Sequence, residues 1–143
     1  MSVSRREQLL QITLEQLEAY LLDGLGVFVD YDPDGQDEFW CDDGTEGPGT
    51  ITINSSHPLD EKVNILAHEV GHVLLRNETH YFLNFPDQDS ETKVGRLEIL
   101  REEVMAWEKA KNLLNQQGLF YDIESWKRSY RNALMNYASW VAK

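Results

Sequence analysis

The chain has 143 residues, 41% of them hydrophobic and four of them tryptophan, which is enough for one core and short for two, so a single domain over residues 1–143 is expected. Its 25 acidic against 13 basic residues give a formal charge of −12, and a surface of that sign repels phosphate backbones, which argues against direct nucleic-acid binding. The only cysteine, Cys41, has no partner for an internal disulfide, the leucines after Arg5, Arg6 and Glu7 are too interrupted for a signal peptide, and no window is long and apolar enough to cross a membrane; a cytoplasmic location without membrane contact is expected.

From Ser4 to Asp23 the residues Leu9, Leu10, Ile12, Leu14, Leu17, Tyr20 and Leu21 recur at helical spacing, and Gly24 supplies a stop. Three short strands are expected next, over Val27 to Tyr31, Glu38 to Cys41, and Thr50 to Asn54, the last with clean alternation. The connectors Asp32-Pro33-Asp34-Gly35 and Asp43 to Gly49 are built of turn residues, which suits an antiparallel meander. A second helix should begin near Pro58, with Asp60 and Glu61 against its positive end, and run to about Arg76. A polar stretch from Asn77 to about Gly95 reads as a substrate-side loop or a partly mobile lid. Two more helices follow, over about Arg96 to Gln117 before Gly118, and over about Asp122 to Ala142. On the last, Ile123, Trp126, Tyr130, Leu134, Tyr137 and Val141 form one stripe, which reads as core. The fold class is α+β, with an N-terminal helix, a small mostly antiparallel sheet, a long central helix and two C-terminal helices.

Chemistry concentrates in His68-Glu69-Val70-Gly71-His72 of the second helix. Residues four apart lie one turn above each other, so His68 and His72 can offer two imidazoles to one metal ion. Glu69 is rotated by about 100° from His68, close enough to take a proton from a metal-activated water without ligating the ion. That is the chemistry of zinc-dependent peptide hydrolysis. Gly71 costs roughly 1 kcal/mol relative to Ala inside a helix, which suggests that another element comes close behind the metal face. A catalytic zinc usually takes three protein ligands, so a third donor is required from elsewhere. His80 would have to reach back from the irregular stretch. Glu102 and Glu103 lie on the next helix, where small Ala106 would let the two helices pack closely, and Glu98 is more distant.

The strand Ile51-Thr52-Ile53-Asn54, the helix Asn64 to Leu75 and the later Glu103-x-x-Ala106 together resemble the ImmA/IrrE-like family of small gluzincin zinc metallopeptidases. The resemblance covers roughly residues 50 to 115. It implies a zincin-like fold, zinc as cofactor, His68, His72 and Glu103 as its ligands with Glu102 as the fallback, and Glu69 as the catalytic base. It further implies that an edge strand beside the active-site helix, at Ile51 to Asn54, receives an extended peptide; an ordinary internal strand is the alternative. Relatives place a polar residue where Trp107 follows Ala106, so the support of a ligand histidine must be built differently here. Some relatives also carry an N-terminal helix-turn-helix, which has no counterpart here. His80, Tyr81 and Tyr121 remain open as donors to a developing oxyanion.

The expected function is therefore a zinc-dependent endopeptidase acting on a protein or peptide substrate, with a transcriptional regulator among the partners that the resemblance suggests. The competing reading is a binding module that keeps the zinc site and sequesters a regulatory partner. A purely structural zinc is disfavoured by the lack of cysteine near the motif.

Overall fold

In a computed structural model, residues 3–41, 49–79 and 91–143 are described. Helix α1 covers Arg5–Ala19, and the Ser4 side chain caps it by accepting the Glu7 backbone N–H. The chain does not stop at Gly24. It widens into a π-helical turn over Tyr20–Leu25 and ends at Gly26, whose φ of 68° lies in the left-handed region that glycine reaches without strain. Leu10, Leu14, Leu17 and Leu21 form its buried face.

Strands β1 (Phe28–Asp32), β2 (Glu38–Cys41) and β3 (Gly49–Asn54) form one sheet in the order β1-β3-β2. The expected antiparallel meander is corrected here. β1 pairs with β3 in parallel, Val29 opposite Ile51, and only β2 runs antiparallel to β3, with Phe39 opposite Ile51. Asp32 to Gly35 does turn, with the Asp34 N–H donating to the Asp32 carboxylate, but the chain then passes to the far side of β3 instead of folding back on β1. Of the two alternatives for Ile51 to Asn54, the internal strand is the one found, since β3 is central and not an edge. Ile51 and Ile53 are completely buried, and the strand that buries most apolar surface takes the position paired on both sides.

Helix α2 (Leu59–Thr79) packs Val63, Leu66, Ala67, Val70, Val73 and Leu74 into the core against the sheet, α1 and the C-terminal helices. It extends three residues beyond the expected Arg76. Helix α3 covers Lys93–Gln116 with Thr92 as its cap, so it starts a turn earlier than its apolar pattern suggested, and Gly118 follows at φ 65°. Helix α4 covers Ile123–Val141, capped by Asp122. Its expected core stripe is only half core: Trp126 is buried, Tyr130, Leu134, Tyr137 and Val141 are half-buried, and Ile123 is exposed. No helix among the described residues is long and apolar enough to cross a membrane.

The α2–α3 crossing positions the site. A Cβ built on Gly71 would lie 2.1 Å from the carbonyl oxygen of Ala106, so the two backbones touch at a point where only glycine fits. The close approach expected from a glycine inside a helix is therefore present, and Ala106 is the residue it meets.

Candidate metal centre

His68 and His72 project from one face of α2 into a cleft of about 750 Å³. Glu69, Glu102, Glu103 and Trp107 line the same cleft, as do Asp37, Glu38, His57 and Glu61 on one side and the α4 face from Ser129 to Tyr137 on another. One donor atom from each of His68, His72 and Glu103 lies within 4.8 Å of the others. His68 Nε2 is 2.8 Å from Glu103 Oε2, and His72 Nε2 is 3.0 Å from Glu103 Oε1.

These contacts fit a metal ion better than they fit one another. His68 Nε2 and Glu103 Oε2 are buried, and despite their separation neither has a hydrogen bond of acceptable direction. Two ligands bound tetrahedrally at about 2.1 Å would sit roughly 3.4 Å apart, so small side-chain rotations that open the 2.8 and 3.0 Å separations would admit an ion. Two neutral-capable imidazoles and a carboxylate are also a donor set suited to zinc or a similar divalent ion. His68, His72 and Glu103 can hold a metal.

The adjacent carboxylates have separate positions. Glu102 Oε1 lies 3.3 Å from His72 Nδ1, on the opposite side of the ring from Glu103, so it supports the ring and leaves Nε2 to the ion. Both glutamates are 7% exposed. Burial lowers the affinity of His72 for a proton, but the hydrogen bonds to Glu102 and Glu103 outweigh it and push the pKa up to about 10. Burial opposes ionisation of Glu103 too, and its contacts with His68 and His72 override this and hold the carboxyl well below its usual range. Glu69 behaves differently. Desolvation dominates there and raises its pKa, against the partial pull of His72 and His68.

Among the described residues, His68 has no comparable polar support. The nearest carboxylate to its Nδ1 is Glu69 Oε1, at 3.6 Å, beyond hydrogen-bonding distance. Instead its ring stacks on Trp107, with centroids 4.4 Å apart and planes 13° from parallel. Trp107 is in turn held edge-on by Trp126 at 5.1 Å and by Tyr130 at 5.9 Å.

Of the sequence candidates, His68, Glu69, His72, Glu102 and Glu103 are brought together. Glu98 does not line the cleft, and Tyr121 turns away from it, donating to the Asn115 side-chain oxygen at 3.1 Å. His80 and Tyr81 lie outside the described residues. Tyr137 was missed as a site residue. It lines the cleft beside Glu103, and burial, with that neighbouring charge, raises its pKa. A signal was available, since Ser129, Asn132, Ala133, Asn136 and Tyr137 form a small and polar helix face beside the apolar stripe.

Searches among curated proteins and solved structures gave no match. A family model, IrrE N-terminal-like domain (Peptidase_M78), matches residues 22–135, which include the sheet, the His68–His72 pair and Glu103. The chain therefore belongs to the IrrE N-terminal-like family of peptidase domains.

Proposed function

We propose that the chain is a zinc-dependent endopeptidase that hydrolyses peptide bonds of a protein substrate. The observation that carries this reading is the convergence of His68, His72 and Glu103 on the floor of a cleft that also contains the buried Glu69. His68, His72 and Glu103 would hold the ion, with Glu102 keeping His72 in the tautomer that presents Nε2. Zinc, when bound, supplies a Lewis acid that polarises the scissile carbonyl and brings the pKa of a water down to roughly 7. Glu69 would serve as the general base, taking at its carboxylate the proton released by the attacking water. Desolvation raises its proton affinity, so it can keep the proton and then deliver it to the departing amine nitrogen. Tyr137, beside Glu103 on the α4 side of the cleft, would help to orient that carboxylate.

With β3 internal, peptide addition falls to β2, which among the described residues forms an edge of the sheet and whose first residue, Glu38, lines the cleft beside Asp37. The substrate we propose, on the resemblance carried by the sequence motifs, is a regulatory protein, a transcriptional regulator among them, and the lone Cys41 suits a cytoplasmic setting.

The test compares the wild type with Glu69→Gln, both loaded with zinc, in a cell lysate whose newly created protein N-termini are labelled and sequenced. New termini should arise with the wild type and disappear with Glu69→Gln, while zinc content stays equal. Identical sets from the two proteins, or none from the wild type, would sink the hydrolytic reading and favour a sequestering module.

A further inference from the structure

The two histidines of the site are supported in different ways. His72 has a carboxylate behind Nδ1; among the described residues His68 has Glu69 no nearer than 3.6 Å to Nδ1, and a broad aromatic plane against its ring. An imidazole without a hydrogen bond at Nδ1 is free to rotate about its side-chain bonds unless packing prevents it, and rotation takes Nε2 away from Glu103. Trp107 prevents it here. The indole is 3% exposed, nearly parallel to the imidazole, and wedged by Trp126 and Tyr130 on its own edges, so it cannot yield easily.

We infer that Trp107 is the positioning residue for His68, replacing by stacking the polar partner that a ligand histidine ordinarily has. The inference rests on the metal-site reading above and extends it to a residue with no donor function. Two effects follow from the chemistry of the pair. The wall fixes the plane of His68, so less freedom is lost when an ion binds. In addition, the indole face carries the negative part of its quadrupole, and an imidazole that gives electron density to a cation becomes more positive, so the stack strengthens on loading. Both effects favour the loaded state over the empty one, and both require an aromatic plane at position 107.

The experiment measures zinc affinity by chelator competition, and the visible spectrum of the cobalt(II)-substituted protein, for the wild type, Trp107→Leu, Trp107→Phe and Trp126→Leu. Trp126 is the control, because it is as deeply buried and belongs to the same cluster but does not lie on His68. Loss of an outer partner of a ligand typically weakens metal binding by roughly 10- to 100-fold, and that loss is expected for Trp107→Leu together with an altered cobalt spectrum. Trp107→Phe should stay close to the wild type, and Trp126→Leu, which leaves the stack in place and removes one of its two flanking rings, should lower the melting temperature while costing much less affinity than Trp107→Leu. Wild-type affinity in Trp107→Leu, or an equal loss in Trp126→Leu, would overturn the assignment. No binding by the wild type would instead defeat the metal-site reading, and this inference with it. Should Trp107→Leu fail to fold, the nuclear magnetic resonance spectrum of the unaltered protein decides: His68 ring protons must be displaced upfield by the indole and must shift again with zinc, and unshifted protons refute the stack.

Discussion

The contact between Gly71 and Ala106 allows a sharp test of how the fold builds the site. In Gly71→Ala, a Cβ placed 2.1 Å from the Ala106 carbonyl oxygen must retreat by about 1.3 Å to reach ordinary contact near 3.4 Å, and the obstruction is backbone that no rotamer change can move. The substitution removes the helix penalty of glycine, worth about 1 kcal/mol. Against this, overpacking costs about 1–3 kcal/mol, and a backbone obstacle in a dry interface belongs at or above the upper end, so a net loss of about 2 kcal/mol is expected. The local effect is larger than the global one. Metal–ligand bonds tolerate about 0.2 Å, whereas separating α2 from α3 by more than 1 Å withdraws Glu103 from both histidines, so zinc affinity should fall by well over tenfold. Urea unfolding of the metal-free protein gives the first quantity and chelator competition gives the second. A variant that is stabilised by about 1 kcal/mol, as helix propensity alone predicts, and that keeps its zinc would refute the reasoning.

Four further outcomes follow from the same geometry. Glu102→Gln should retain zinc with an affinity lowered by roughly 10- to 100-fold, whereas Glu103→Ala should lose it outright; equal affinities in isothermal titration would erase the distinction between support and ligand. Because His72 holds its proton up to about pH 10 in the metal-free protein, the ion must displace that proton, and zinc affinity should rise about tenfold per pH unit between pH 7 and 9; a flat profile would contradict the raised value. The same raised pKa stabilises the metal-free fold fully below the unfolded value of 6.5 and is lost as pH rises through about 10, so melting temperature should decline on the alkaline side. Asn64, completely buried and donating to Ser125 and Ser129 at 2.9 and 3.1 Å, ties α2 to α4; Asn64→Ala should cost about 2 kcal/mol in thermal unfolding, and an unchanged midpoint would show the bridge to be idle.

The parts of the site legible in the sequence are those set within a single helix. The spacing of His68 and His72 fixes their common face whatever surrounds them, and a glycine kept inside an apolar helix announces a neighbour before the neighbour is known. What depends on how two elements cross was not legible. Glu102 and Glu103 differ by about 100° of rotation, so spacing alone does not tell which one meets Nε2 and which one meets Nδ1. The alternation of Thr50 to Asn54 marks a buried face but says nothing of how many strands pair with it, and the central place of β3 came from a crossover that turn chemistry does not encode. Tyr137 was hidden for a related reason: helical periodicity identifies an inward face without saying where core gives way to cleft.

The order of residues on the two helices explains why these local signals suffice for a working arrangement. On α2 the point of closest approach, Gly71, follows His68 by three residues; on α3 the facing residue, Ala106, follows Glu103 by three. Three residues are nearly one helical turn, about 4.5 Å of rise, so each ligand sits one step from the contact and close to its azimuth. Backbones that touch at that contact therefore leave a gap one turn away set by the crossing itself, and the side chains of His68 and Glu103 meet across it at 2.8 Å. A larger residue at either contact position would widen the gap without altering any ligand. The small residues are thus as much a part of the metal centre as the residues that carry its donor atoms.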